Sequence, residues 1–486
     1  MCSMRPFSRS IGPAALFAAA TLVFPHGAAL ATDPFGEEPL SDEGILELVP
    51  GADIQAVADR YGFTVRDAIE SRLTYLVDLN MKMTEDAFEL LFLSDADIDH
   101  SELNFETGDS GPGTQSIFLF TAPGEYQIQP VREALGLEAA HAAYTGAGVT
   151  IAIIDTGIDP DHPLLASRIA PGGIAFTADP TDPINYNPGA YQDVCDGNDG
   201  DGDGLSDEVV GHGTAVAGLA LMVAPDAMIL PIRVMDDEGA TTSFRVAKAV
   251  YYAVDQGADV INLSLGSLTN VEIIEDAVKE AVDLGVIVTA SMGNAGGFDE
   301  EYPASLNDVA GVAATDNAGV LAGFSNRNDE VNVCAPGINL ISSVPVESCG
   351  PALPNSIYGE ADGTSFAAPL VAGTAALLIQ KGTVLRWDDF RGALRKTCDD
   401  IESINPGVDH NHLGMGMLNV AAAVEWEGPC FADLVEDDIL DIADIFAFLA
   451  AFAAGESHAD FAEPRGILDT SDVFDFLRYY NAGCPE

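Results

Sequence analysis

Hydrophobic positions fall into four differently patterned stretches along the chain. The first is an apolar run at residues 11–24, preceded by Arg5 and Arg9 and followed by Ala29-Leu30-Ala31. A basic start, a short apolar core and a small-residue site are the layout of a secretory signal, expected over residues 1–31. The run is shorter than the roughly 20 apolar residues a membrane helix needs, and no later stretch reaches that length. The chain is therefore expected outside the cell, without a membrane span.

Residues 44–104 mix strand and helix spacing. An apolar run at 45–49, a helical stretch at 53–61, short β-like runs at 63–65 and 73–77, and a helix near 84–93 predict a small α+β domain. Gly, Ser and Pro within 107–115 predict a linker, taken over 105–134. From 135 to 426 the spacing becomes that of a parallel α/β domain. Short apolar runs at 149–154, 228–232, 260–263 and 286–290 alternate with helical stretches such as 244–256 and 271–284. Ligands of such sheets gather at the carboxyl ends of the strands.

The last stretch, 430–486, repeats itself. Asp441-Ile-Ala-Asp444-Ile-Phe-Ala-Phe448-Leu449 recurs 28 residues later as Asp469-Thr-Ser-Asp472-Val-Phe-Asp-Phe476-Leu477. Two copies predict a pair of loop-plus-helix units with Phe446, Phe448, Phe474 and Phe476 as their core.

Charge narrows the function classes. Against 77 acidic residues stand 20 basic ones, a net charge of −57, so nucleic acid is excluded as a partner because phosphate binding needs clustered Lys and Arg. Solubility in a salty medium, calcium ligation and resistance to aggregation all remain open as reasons for the acidity. Behind the signal lie Cys195, Cys334, Cys349, Cys398, Cys430 and Cys484, an even number that permits disulfides in an exported chain. Cys430 and Cys484 bracket the repeat and are the first pairing expected. Cys334, inside an apolar run, reads equally well as a small buried hydrophobe.

Three segments carry chemistry. Ser365 stands in Gly363-Thr364-Ser365-Phe366-Ala367-Ala368-Pro369 at the start of a helical run, where backbone N–H groups are free to hold an oxyanion. Taken alone it reads as a helix cap, the commoner role of such a serine. His212 opens a second helix in Gly211-His212-Gly213-Thr214, with small neighbours that admit close packing. Asp155, at the end of the 149–154 strand and before Thr156-Gly157, is a carboxylate that needs a partner in space.

The order Asp, His, Ser is that of subtilisin. Asp155-Thr-Gly, Gly211-His212-Gly-Thr and Gly363-Thr-Ser365-x-Ala-x-Pro369 resemble the three motifs around the catalytic residues of the subtilisin family, and the resemblance covers about 135–426. It implies a parallel-sheet subtilisin-like catalytic domain acting on protein or peptide substrates. Ser365 would be the nucleophile, His212 the general base and then acid, and Asp155 the group that orients the imidazole. Ser291-Met292-Gly293-Asn294-Ala295-Gly296 resembles the oxyanion segment, with Asn294 donating to the tetrahedral intermediate. Losing such a donor costs about 100- to 1,000-fold in turnover, a figure known from this same family. Ser264, Leu265 and Gly266 resemble the edge that pairs with an extended substrate. Glu301, just before Tyr302-Pro303, falls where the resemblance puts the floor of the specificity pocket, which implies a preference for Lys or Arg before the scissile bond. The other reading makes Asp299, Glu300 and Glu301 a solvated acidic surface. Ala215 departs from the family, which often has histidine there, and little room remains between the His212 helix and Met228 for a calcium loop many relatives carry.

A different acidic loop offers itself. Asp199, Asp201, Asp203 and Asp207 stand at positions 1, 3, 5 and 9 of a glycine-rich run, the oxygen spacing calcium uses, although Val210 holds position 12 where an EF-hand has glutamate. A solvated acidic turn is the alternative. By position and element order, 44–104 resembles a subtilase pro-region; an independent binding domain is the alternative. The 430–486 repeat resembles a dockerin-type module, an α-helical pair that binds calcium and docks on a cell-surface protein. Asp433, Asp437, Asp441 and Asp444 keep ligand spacing in the first copy, while Pro464 and Arg465 disturb the second. A two-helix module without metal is the other reading. A catalytically silent subtilase scaffold that binds surface proteins is the alternative for the chain as a whole.

Overall fold

A computed structural model describes residues 39–108, 119–120 and 124–482, apart from 178–186, 189–190, 194–196, 198–206, 208, 347–356, 385, 429–433, 435–441, 455–458 and 460–469. The expected signal, most of the acidic loop, and Cys195, Cys349, Cys430 and Cys484 lie outside the described residues.

The N-terminal unit is the predicted α+β domain. Strands β1 (Pro39–Leu48), β2 (Thr64–Ile69), β3 (Thr74–Asp78) and β4 (Ile98–Gly108) form an antiparallel sheet in the order β4-β1-β3-β2. Helices Ile54–Tyr61 and Glu85–Phe92 supply its core with Val57, Ala58, Phe88 and Phe92, packed on Leu46, Val77 and Leu103. Asp53 starts the first helix by accepting from Gln55 N (2.9 Å), and Gly62, in the left-handed region at φ 83°, ends it. β4 carries the polar run Asp99-His-Ser-Glu102, so period-two spacing does not announce it.

The large domain holds the predicted parallel sheet. After β5 (Leu119–Phe120) come β6 (Thr150–Asp155), β7 (Ile174–Ala175), β8 (Asn187–Pro188) and β9 (Met228–Arg233), then β10 (Ala240–Thr242) and β11 (Val260–Leu263). β12 (Ile287–Ser291), β13 (Ala310–Thr315), β14 (Val333–Pro336), β15 (Leu340–Ser343) and β16 (Tyr358–Ala361) complete the set. The main sheet runs β14-β13-β12-β11-β6-β9-β7-β8, parallel through its first seven strands and closed by antiparallel β8. Its central strands are buried on both faces, which is why they read as continuous apolar runs. Helices His212–Val223 and Thr364–Lys381 pack on one face; Ser243–Asp255 and Glu272–Asp283 pack on the other. Cys334 is fully buried in β14 as a free thiol, consistent with the small-hydrophobe reading.

Two expectations shift. β4 continues to Gly108, into the segment expected to be linker, and pairs there with β10. Helices Glu125–Ile128 and Pro130–Ala134 also lie within it, and Tyr126 Oη is buried and donates to Gly218 O (2.8 Å). Near the C-terminus, helices Ile442–Ala454 and Thr470–Ala482 face each other through Phe448 and Phe476, stacked at 4.1 Å. Phe446 and Phe474 are 63% and 71% exposed, so they stand outside the core assigned to them. Residues two apart on a helix point roughly 200° apart, so one Phe of each pair must leave the seam. Among the described residues no helix is long and apolar enough to cross a membrane.

Candidate active site

Asp155 is the last residue of the central strand β6 and is fully buried. Its Oδ1 accepts from Thr156 N (2.7 Å) and from His212 Nδ1 (2.8 Å). A carboxylate cannot donate, so Nδ1 carries a proton, and in the neutral ring this leaves Nε2 as the acceptor. His212 is the first residue of its helix because Gly211 turns the chain at φ 97°. Gly213 allows the close approach: a Cβ there would sit 2.2 Å from Gly157 O and 2.9 Å from Asp155 Oδ1. Gly-His-Gly is thus a steric requirement of bringing a helix start onto a strand end.

Ser365 is the second residue of the Thr364–Lys381 helix and is 4% exposed. The next residue, Phe366, lies with its ring 5.2 Å from the His212 imidazole, which brings both helix starts together over β6. Ser365 N–H belongs to the first turn, where no carbonyl of the same helix can reach it.

Asn294 follows β12. Its Oδ1 accepts from Thr364 N (2.9 Å) and Thr364 Oγ1 (3.0 Å). With the oxygen occupied, the amide nitrogen is turned away as a donor beside the start of the Ser365 helix. Ser264 sends its hydroxyl to Ser365 O (2.7 Å), and Leu265 is buried. Gly266 exchanges two backbone hydrogen bonds with Gly108, donating at 3.0 Å and accepting at 3.4 Å. Ser267 pairs in the same way with Tyr302, which brings Glu301 alongside. Glu301 is 2% exposed and accepts from Asn326 Nδ2 (2.8 Å). A Cβ on Gly293 would come within 1.8 Å of Glu301 Oε1, so this carboxylate lies directly against the oxyanion segment. Asp299 and Glu300 are exposed. The solvated-surface reading holds for those two and fails for Glu301.

Several site residues escaped sequence reasoning. Thr156 Oγ1 accepts from Gly213 N (3.0 Å) and Thr364 orients Asn294. Asp193 is a third buried carboxylate behind the site, accepting from Gly211 N (2.8 Å) and Thr214 Oγ1 (3.1 Å). Burial, reinforced by the Asp155 charge, pushes its pKa up to about 7. It lies 19 residues before His212 in sequence, and only the fold shows that it holds the His212 turn.

The metal expectations are only partly within view. Asp199, Asp201, Asp203, Asp433, Asp437 and Asp441 lie outside the described residues. Asp207 accepts from Gly197 N (3.1 Å) with its Oδ1, closing the loop, and its own N donates to Glu238 (3.0 Å). Asp444 is fully buried at the start of its helix. Among the described residues no cluster of three or more His, Cys, Asp or Glu is arranged to hold a metal.

The subtilase family model matches residues 146–416, more than half of the chain. Thermitase of Thermoactinomyces vulgaris is 34% identical over 281 residues, covering 58% of this chain and 90% of the relative. The major intracellular serine protease of Bacillus subtilis is 37% identical over 248 residues, covering 48% and 69%. In structure, fervidolysin of Fervidobacterium pennivorans, a keratinolytic enzyme related to subtilisin, aligns with TM-score 0.62 at 24% identity, over 81% of this chain and 62% of that one.

Proposed function

Because the chain belongs to the subtilase family of serine peptidases, we propose that it is an exported endopeptidase cleaving peptide bonds through an acyl-enzyme on Ser365. The observation that carries this reading is the buried His212–Asp155 hydrogen bond of 2.8 Å, with the imidazole packed beside the residue that follows Ser365. His212 takes the Ser365 proton as the hydroxyl attacks and returns it to the leaving amine; Asp155 holds the ring and stabilises the imidazolium. Asn294 Nδ2 and Ser365 N–H stabilise the oxyanion. Replacing Ser365 or His212 by Ala should abolish hydrolysis of a peptide substrate while the fold persists. Undiminished turnover in both variants would favour the silent-scaffold reading.

The Gly266 edge accepts the extended substrate, and the pairing of Gly108 there supports reading the N-terminal unit as a pro-region that lies along the cleft. Glu301 selects Lys or Arg before the scissile bond, a reading supported by the place of its buried carboxylate directly against Gly293 of the oxyanion segment. Comparing kcat/KM on peptides that differ only in Arg, Leu or Phe at that position tests this. A preference for Leu or Phe, or an Arg preference surviving Glu301→Gln, would refute it. Asp199, Asp201, Asp203 and Asp207 hold calcium on the strength of their spacing, and Asp433, Asp437, Asp441 and Asp444 form a second such set. The C-terminal pair docks on a cell-surface protein, a reading supported by the repeat-related exposure of Phe446 and Phe474.

A further inference from the structure

An α-helix carbonyl normally accepts from the N–H four residues ahead. For Ser365 that donor would be residue 369, and Pro369 has none. The Ser365 carbonyl is buried, so it needs another donor. Ser264 supplies it: its hydroxyl, fully buried, donates to Ser365 O at 2.7 Å. Ser264 Oγ in turn accepts from Asn262 Nδ2 (2.9 Å), and Asn262 Oδ1 accepts from Thr289 Oγ1 (3.1 Å). Asn262 and Thr289 belong to the central strands β11 and β12 and are fully buried. A polar chain therefore runs from the rigid middle of the sheet to the peptide unit of the proposed nucleophile.

We infer that the Ser264 side chain is a positioning residue that fixes the Ser365 peptide in place of the N–H that Pro369 lacks. The inference rests on Ser365 being the nucleophile. Its role is separate from that of the Ser264–Gly266 backbone, because the hydroxyl points into the helix start and the edge pairs through Gly266. The segment that receives substrate is thereby bonded to the peptide that attacks it. Losing the hydroxyl frees the first turn of the helix to rotate, which moves Ser365 Oγ relative to His212 and its N–H relative to Asn294. A misplacement of about 1 Å can cost up to roughly a hundredfold in rate.

The test is a double-mutant cycle on the full chain, with kcat and KM measured per fluorophosphonate-titratable site. Ser264→Ala should lower kcat about tenfold and change KM by less than about twofold, as expected when only transition-state geometry is lost. Pro369→Ala restores a backbone N–H aimed at Ser365 O, so in that background Ser264→Ala should cost less than about twofold in kcat. Equal losses in both backgrounds would overturn the positioning role. If Ser264→Ala yields no folded protein, Ser264→Cys keeps a weaker donor of similar shape and should give a partial kcat loss; full kcat in Ser264→Cys would likewise overturn it. Fluorophosphonate labelling that survives Ser365→Ala would sink the nucleophile assignment and this role with it. Loss of labelling in Ser365→Ala with equal losses in the cycle would sink the positioning role alone.

Discussion

The N-terminal unit and the C-terminal helix pair flank the same peptidase domain and are built on opposite principles. The N-terminal unit has a core of ten buried apolar residues, from Leu46 to Leu103, and meets its neighbour through Ile45, Ile69, Leu76 and Phe105 as well as through polar groups. The peptidase helices Ser243–Asp255 and Glu272–Asp283 have no side-chain caps of their own. Both receive caps from β4. Asn104 Oδ1 accepts from Ser243 Oγ (3.0 Å) and Phe244 N (3.2 Å), and Glu102 accepts from Glu272 N (3.1 Å) and Ile273 N (2.8 Å). Arg72 adds ion pairs to Glu280 and Asp255, and Lys248 pairs with Asp67 (2.6 Å). Among the described residues, the C-terminal pair rests on a four-residue buried cluster, Phe448, Ala451, Ala459 and Phe476, and leaves Ile442, Phe446, Leu449, Phe474 and Leu477 exposed. The polar part of this seam fits the pro-region proposed above, because its donors and acceptors return to water on release. A small core with apolar residues turned outward suits a surface that awaits a partner.

The largest expected effect lies in the small core. Phe448→Ala or Phe476→Ala should cost about 3–5 kcal/mol and abolish amide protection of both C-terminal helices in hydrogen exchange. Phe446→Ala should stay within about 0.5 kcal/mol. Equal losses for Phe446 and Phe448 would mean that the helices pack through other faces.

Calcium should separate the two ends as well. Binding to the folded state alone stabilises by about 2.7 kcal/mol at a hundredfold excess over Kd. Chelator at fixed ionic strength should therefore lower Tm and leave exchange protection in the N-terminal sheet unchanged. Asp199→Ala should remove the part due to the acidic loop. A Tm indifferent to chelator would remove calcium from both sets.

Next in size is the borrowed cap. In the Ser365→Ala chain, Glu102→Ala leaves two first-turn amides without an acceptor, at a cost of about 1–3 kcal/mol. Faster exchange at residues 272–275, with residues 364–367 unchanged, is the expected signature. Unchanged exchange at both would show that the carboxylate contributes nothing to the seam.

The smallest effect is a pH dependence at the same seam. His100 lies 4.0 Å from Glu102 and 3.6 Å from Glu272, and these carboxylates raise its pKa to about 9. Because this lies above the ordinary 6.5, its contribution is fully present below that value and is lost as pH rises through about 9. Limited proteolysis of the Ser365→Ala chain should cut between the unit and the peptidase domain more readily above pH 9, and His100→Gln should flatten the profile. A seam that tightens with rising pH would contradict the sign.

Where residues were bound by local rules, the sequence showed them early. The buried strands β6, β11 and β12 were legible within one residue at each end because both faces are covered, and Asp155, His212, Asn294 and Ser365 stood in segments whose glycines are sterically required. What was not legible depends on pairs distant in sequence. β4 is too polar to read as a strand, because Glu102 and Asn104 face helix starts that lie 170 and 139 residues away. Asp193 and the Ser264–Pro369 relation are invisible for the same reason. Placing Phe446 and Phe474 in the core beside Phe448 and Phe476 failed because an apolar repeat gives the period and leaves the seam unspecified.

The central claim is that Ser365 is the nucleophile activated by His212 and Asp155. Its most direct test is fluorophosphonate labelling of the purified chain, with the modified residue mapped by peptide mass spectrometry. The account predicts a single adduct on Ser365, absent in Ser365→Ala and strongly slowed in His212→Ala. An adduct on another serine, or equal labelling of the wild-type and Ser365→Ala chains, would contradict it.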